Sequence, residues 1–257
     1  MNNLTKYFSI IIFTISIQSF SQEKAFEELD SYLSDYRQFD FEQFIRHDFE
    51  NFEIEDNHFN GGYLTTRERD WKITESIYHF EINYWIEKSS RYRFLNLHTF
   101  SQNGEIFLVI YHNDSFSERV LEPKYFGRIE KLKSVLNAHN NFYHSDFSIE
   151  DMISQLSEGE VYGYACGDAP IIEKIPSIKG YKFNQKSNLE IFRNWLQSFN
   201  LEMQTYGVDA IGYLVRNKGL KLSIEDQKII NHIKERNSIL NTCSGCLEGL
   251  YKKAFKE

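Results

Sequence analysis

The sequence predicts an α+β fold: helices around a small antiparallel sheet, followed by a helical C-terminal unit. Three observations carry that expectation. The dipeptide Asn103-Gly104 stands between two apolar-rich runs and is the favoured signal for a two-residue hairpin, because both central residues must take positive φ. Large apolar residues recur at helical spacing on either side of that hairpin. In the last third, amphipathic runs follow one another over short polar links, each with a capping residue, which makes them antiparallel neighbours.

The chain of 257 residues opens with MNNLTKYFSIIIFTISIQSFSQ. One positive charge at Lys6, an apolar run from Phe8 to Ile17, and small residues at Ser19 and Ser21 give the three-part layout of a signal peptide over residues 1–21. The apolar run is shorter than the roughly 20 residues needed to span a bilayer, so the mature chain is expected to be exported to the periplasm or beyond. Lys6 is the only charged residue in that stretch, so its removal takes the formal charge from −8 to −9. An acidic chain without a local Lys/Arg cluster disfavours nucleic acid and anionic lipid as partners, and no later segment has membrane length. A protein or peptide partner is expected instead. With 22 Phe and 16 Tyr, the core and any interface are built largely from aromatic rings.

Residues 22–158 read as an α+β module. Phe26, Leu29, Leu33 and Tyr36 form one helical stripe. Asp40 with Gln43 opens a second helix, along which Phe41, Phe44, Ile45, Phe49 and Phe52 line one face as core. Paired glycines in HFNGGYLTT, from His58 to Thr66, mark a loop. The alternation of Tyr78, Phe80, Ile82, Tyr84 and Ile86 with polar residues predicts a strand. The hairpin, near residues 92–112, should pair Ser101 with Ile106, Thr99 with Leu108 and Leu97 with Ile110. That register gathers aliphatic side chains on one face and Phe100, Phe107, Val109 and Tyr111 on the other, so both faces should be covered. Tyr125, Ile129, Leu132 and Leu136 predict a further helix, and Ser148 with Asp151 a capped short one.

Residues 159–257 read as a mainly helical module containing the cysteines. GEVYGYACGDAP predicts a short strand ending in a turn. Ser187 is expected to cap one helix, Asn200 to open another that Gly219 stops, and Ser223 with Asp226 to cap a third. Over residues 187–239 this run resembles a single HEAT- or armadillo-type helical repeat unit, above all in the small residues Gly207, Ala210 and Gly212 that allow close helix approach. The resemblance implies a binding surface and carries no catalytic residue.

Cys166, Cys243 and Cys246 are the candidate site residues, the last two in NTCSGCLEG. In an exported chain they are expected to be oxidised, with Cys166 tied to Cys243 or Cys246, or with a Cys243–Cys246 bridge. A redox reading places CSGC ahead of a helix through LEGLYKKAF, whose dipole would lower a thiol pKa. A zinc reading adds His232 to the three cysteines, although the expected cofactor is none. No Gly-rich phosphate loop, HExxH, GxSxG or EF-hand pattern occurs. The function expected is therefore an exported, non-enzymatic protein- or peptide-binding protein, of inhibitor or immunity type. The alternative is a thiol-disulfide oxidoreductase or isomerase.

Overall fold

The structure, a computed structural model, describes residues 24–55, 62–86, 89–113, 122–163, 165–166, 173–174, 178–244 and 247–255. The expected signal peptide lies outside them, as does part of the expected glycine-paired loop; residues 62–66 of that loop open a strand. The chain forms two compact units, one of Met1–Leu64 with Ser76–Gly127 and one of Thr65–Glu75 with Arg128–Glu257. The division thus falls at Gly127, ahead of the residue 158 expected from sequence. Its physical reason is a set of bonds that ties the helices after Gly127 to the C-terminal ones: Gln155 Oε1 accepts from Ser198 Oγ (2.9 Å) and the Phe199 amide (2.8 Å), and the His139 Nε2–H donates to the Gln197 carbonyl (2.7 Å).

The first unit begins with helix α1 (24–34), a 3₁₀ turn Tyr36–Gln38, and helix α2 (Phe41–Ile45), where the Asp40 carboxylate accepts the Gln43 amide at 2.9 Å. The helix stops at Ile45 instead of continuing to Phe52. Glu28 of α1 accepts the amides of Glu50 (2.7 Å) and Asn51 (2.8 Å), and so fixes a non-helical path through that segment. Phe49 and Phe52 still reach the core, stacked with centroids 4.2 Å apart, together with Phe26, Leu29, Leu33, Phe41 and Phe44.

These side chains cover one face of an antiparallel sheet. Its strands are β1 (Glu53–Glu55), β2 (Gly62–Glu68), β3 (Ile73–Ile86), β4 (Ser89–Gln102), β5 (Glu105–Asn113) and β6 (Lys124–Gly127), in the order β1-β3-β4-β5-β6 with β2 also on β3. Asn103 and Gly104 form the tight turn with φ of 55° and 81°, as expected. The register beyond it is not the expected one. Ser101 pairs with Ile106, but Phe100 pairs with Leu108, Thr99 with Val109 and Leu97 with Tyr111. Phe107 is an extra residue on β5, a β-bulge, and a shift of one moves every later side chain of that strand to the opposite face. Leu95, Leu97, Val109 and Tyr111 therefore face the helices with Phe80, Ile82 and Tyr84. Tyr125, expected in a helix, lies on β6 opposite Ile110.

In the second unit, α3 (Ile129–Tyr143) is followed by α4 (Ile149–Ser157), opened by the Ser148/Asp151 capping box. The short strands β7 (Ala165–Cys166) and β8 (Glu173–Lys174) pair with each other. Helices α5 (Leu189–Gln197), α6 (Leu201–Lys218) and α7 (Ile224–Arg236) build the core, with Phe192, Leu196, Ile211, Leu214 and Ile233 at its centre. Asn200 caps α6, Gly219 ends it in the left-handed region, and Ser223/Asp226 box the start of α7, all as expected. The start of α5 differs: a 3₁₀ turn Lys186–Asn188 leads into it and no side chain caps it. The segment after the cysteine pair is not helical. Strands β9 (Ile239–Ser244) and β10 (Leu247–Lys253) form a hairpin, with a register break between Leu247 and Leu250 where Gly249 takes φ 74°. A positive-φ glycine at such an irregularity lets a strand absorb an extra residue without strain.

Candidate functional site

Cys243 lies within β9 and is disulfide-bonded; Cys166 is on β7, which packs beside β9. Cys246 lies outside the described residues. Neither Cys243 nor the strand after it sits at a helix N-terminus, so the dipole that the redox reading required is absent there. His232, the expected fourth zinc ligand, belongs to α7 and places its Nε2 2.8 Å from Asp70 Oδ1. Among the described residues no three or more His, Cys, Asp or Glu side chains are grouped to hold a metal ion.

That Asp70 belongs to a buried ionic cluster within the second unit. Along the end of β2, Thr65 and Arg67 point inward by the period-two alternation of a strand, Arg69 just past the strand is also buried, and Glu75 joins them from the start of β3. Arg67 donates from Nε to Glu75 (2.6 Å) and from Nη1 to Glu202 of α6 (2.7 Å). Arg69 donates from Nε to Glu75 (2.5 Å) and from Nη1 to the Phe199 carbonyl (2.7 Å). Asp70 accepts from Tyr143 (2.8 Å), from His232 and from Arg236, and Arg236 also donates to Gln204 (2.6 Å) and Ser238 (2.7 Å). Burial alone would raise the Asp70 pKa, but the bonds from His232, Arg236 and Tyr143 outweigh it and hold the carboxyl well below the usual range. Burial and the adjacent Asp70 push the Tyr143 phenol up. Three guanidiniums face three carboxylates here, so the cluster is charge-neutral and its members are engaged with one another. It works as a fastener for the segment 65–75.

The first unit carries the second polar feature, on the sheet face turned away from α1 and α2. The bulge at Phe107 places His112 directly opposite Asn96, on the same face as His98. His112 Nδ1–H donates to the Asn113 carbonyl (2.9 Å), which leaves its Nε2 as the acceptor of the His98 Nε2–H at 3.2 Å. Both rings are buried, at 8% and 6% exposure. Burial, then the neighbouring His98, lowers the His112 pKa to about 4. On β3, His79 Nδ1 lies 2.9 Å from Asn96 Oδ1, so a row of polar side chains crosses three strands. Toward the other end of β4 the row opens: Phe94 stacks on His79 (5.6 Å, 13°), and Tyr92 meets Phe94 edge-on at 5.7 Å with 64% of its surface exposed.

No family model matches this chain, and neither a curated protein nor a solved structure does. Sequence reading missed both polar features. Only the strand alternation of Arg67, Arg69 and Glu75 was available for the ionic cluster, and nothing local announced the bulge that brings His98 and His112 together. Among the described residues, no helix is long and apolar enough to cross a membrane.

Proposed function

We propose that this is an exported, non-enzymatic binding protein that receives a protein or peptide partner on the open end of the polar sheet face. The observation that carries the reading is the gradient along β4, from Phe100 at 1% and His98 at 6% exposure, through the half-buried Asn96 and Phe94, to Tyr92 at 64%. Such a surface offers rigid rings with little side-chain entropy to lose, next to amide and imidazole groups that match peptide N–H and C=O groups. The formal charge of −9 expected of the mature chain, −8 before loss of Lys6, adds selectivity against anionic partners. Panning a displayed peptide library on the immobilised mature chain tests it. Saturable binders should lose at least about tenfold in affinity on Tyr92→Ala or Phe94→Ala, as for truncated aromatic anchors; absence of saturable binders, or indifference to both substitutions, would overturn the reading.

In this reading the cysteines are structural, with Cys243 joined to Cys166 across the β7–β9 contact. The oxidoreductase alternative has lost the helix terminus on which it depended. Alkylation of the exported protein under denaturing, non-reducing conditions, followed by peptide mapping, should find Cys246 alkylated and Cys166 linked to Cys243. A Cys243–Cys246 link would reinstate the dithiol reading.

A further inference from the structure

We infer that His98 and His112 form a two-imidazole site for a tetrahedral divalent metal ion of the zinc type. Their Nε2 atoms are 3.2 Å apart, and two nitrogens each ~2.0–2.1 Å from a tetrahedral ion stand about 3.3 Å from each other. An ion therefore replaces the proton between the rings with little movement of either. The outer arrangement is that of a metal-binding histidine: the His112 Nδ1–H is held by the Asn113 carbonyl at 2.9 Å, which fixes the tautomer and aims a bare Nε2 lone pair inward. Both histidines project from strands paired through β4 and β5, a stiffer support than a loop. Binding through His98 Nε2 requires that neutral ring to carry its proton on Nδ1 instead, a change of tautomer with no net proton release, and the remaining coordination positions are left to water or a small anion.

This inference does not depend on the peptide-binding reading. Its test is zinc titration of the metal-stripped mature protein by calorimetry, with Co²⁺ as an optical probe of tetrahedral geometry. One equivalent should bind saturably. Affinity should fall at least about tenfold in His98→Gln and in His112→Gln, and hold in His79→Gln, which touches the row but not the pair. Circular dichroism and a cooperative melt establish that each variant is folded. Long-range ¹H–¹⁵N spectra of the unsubstituted protein give a readout that needs no variant: zinc should shift two Nε2 resonances and move the His98 N–H from Nε2 to Nδ1. Absence of saturable binding, affinity in both pair variants unchanged from that of the unsubstituted protein, or unmoved Nε2 resonances would leave a proton-sharing pair only and overturn the site.

Discussion

At the scale of single residues, the balance of burial against local bonds decides which form a titratable side chain keeps: bonds win at Asp70, burial wins at His139. His139 illustrates the case in the second unit. Its ring stacks on Phe199 with centroids 3.6 Å apart, is 1% exposed, and donates from Nε2 to the Gln197 carbonyl. Burial is the leading cause of a pKa lowered to about 4, only partly offset by that carbonyl and by Asp70. The unfolded chain takes up its proton near pH 6.5, the folded chain only near 4, so the unfolded state binds more protons between those values. Stability should therefore be full above about pH 6.5 and decline as pH falls toward 4, by on the order of 3 kcal/mol from this residue. Urea unfolding at pH 7.5 and 4.5 measures the decline, and His139→Gln should flatten it; an unchanged slope in the variant would assign the acid sensitivity elsewhere.

Elements differ in how far they could be read from the sequence, and the difference follows the range of the interaction that sets them. Ser148, Asn200, Gly219 and Ser223 were legible because a cap is local: the three side chains each accept an amide three residues on, and Gly219 takes positive φ and donates its own amide to the Leu214 carbonyl. The bulge at Phe107 and the β9–β10 hairpin were not, because each depends on which strand lies alongside. Since the histidine pair exists only in the bulged register, it was illegible for the same reason, and the Arg67–Glu202 pair joins residues 135 positions apart. The small-residue signal on α6 was legible in part. A Cβ on Gly207 would lie 2.9 Å from both the Leu196 amide nitrogen and the Phe192 carbonyl oxygen, so α5 and α6 meet there backbone to backbone. At Gly212 it would meet only the flexible Arg216 side chain, at 3.2 Å. Gly207→Ala should then destabilise by about 1–3 kcal/mol through overpacking, whereas Gly212→Ala should be neutral or stabilise by up to ~1 kcal/mol through helix propensity. Equal effects in denaturant melts would mean that the two helices do not depend on close approach at Gly207.

On the scale of the whole molecule, the chain order of the two units is interleaved: residues 65–75 lie between segments of the first unit but belong to the second. That short segment supplies Arg67, Arg69, Asp70 and Glu75 to the ionic cluster, and Trp71 packs against the core of α5–α7. Without it, Glu202 and Arg236, each almost wholly buried, lose their principal opposite charges. Removing one partner of a buried ion pair costs roughly 3–5 kcal/mol, and two such losses approach the ~5–15 kcal/mol that stabilises an ordinary domain. A fragment of residues 128–257 should therefore lack a cooperative melt, even though it contains five of the helices and the β9–β10 hairpin. Joining residues 65–75 to its N-terminus through a flexible linker should restore both dispersion in amide NMR spectra and the melt. The same fusion with Arg67→Ala and Asp70→Ala should fail to do so, because the backbone is then present without the charges. A fragment that folds equally well in all three forms would show that α5–α7 suffice for the unit and that the cluster follows folding instead of enabling it.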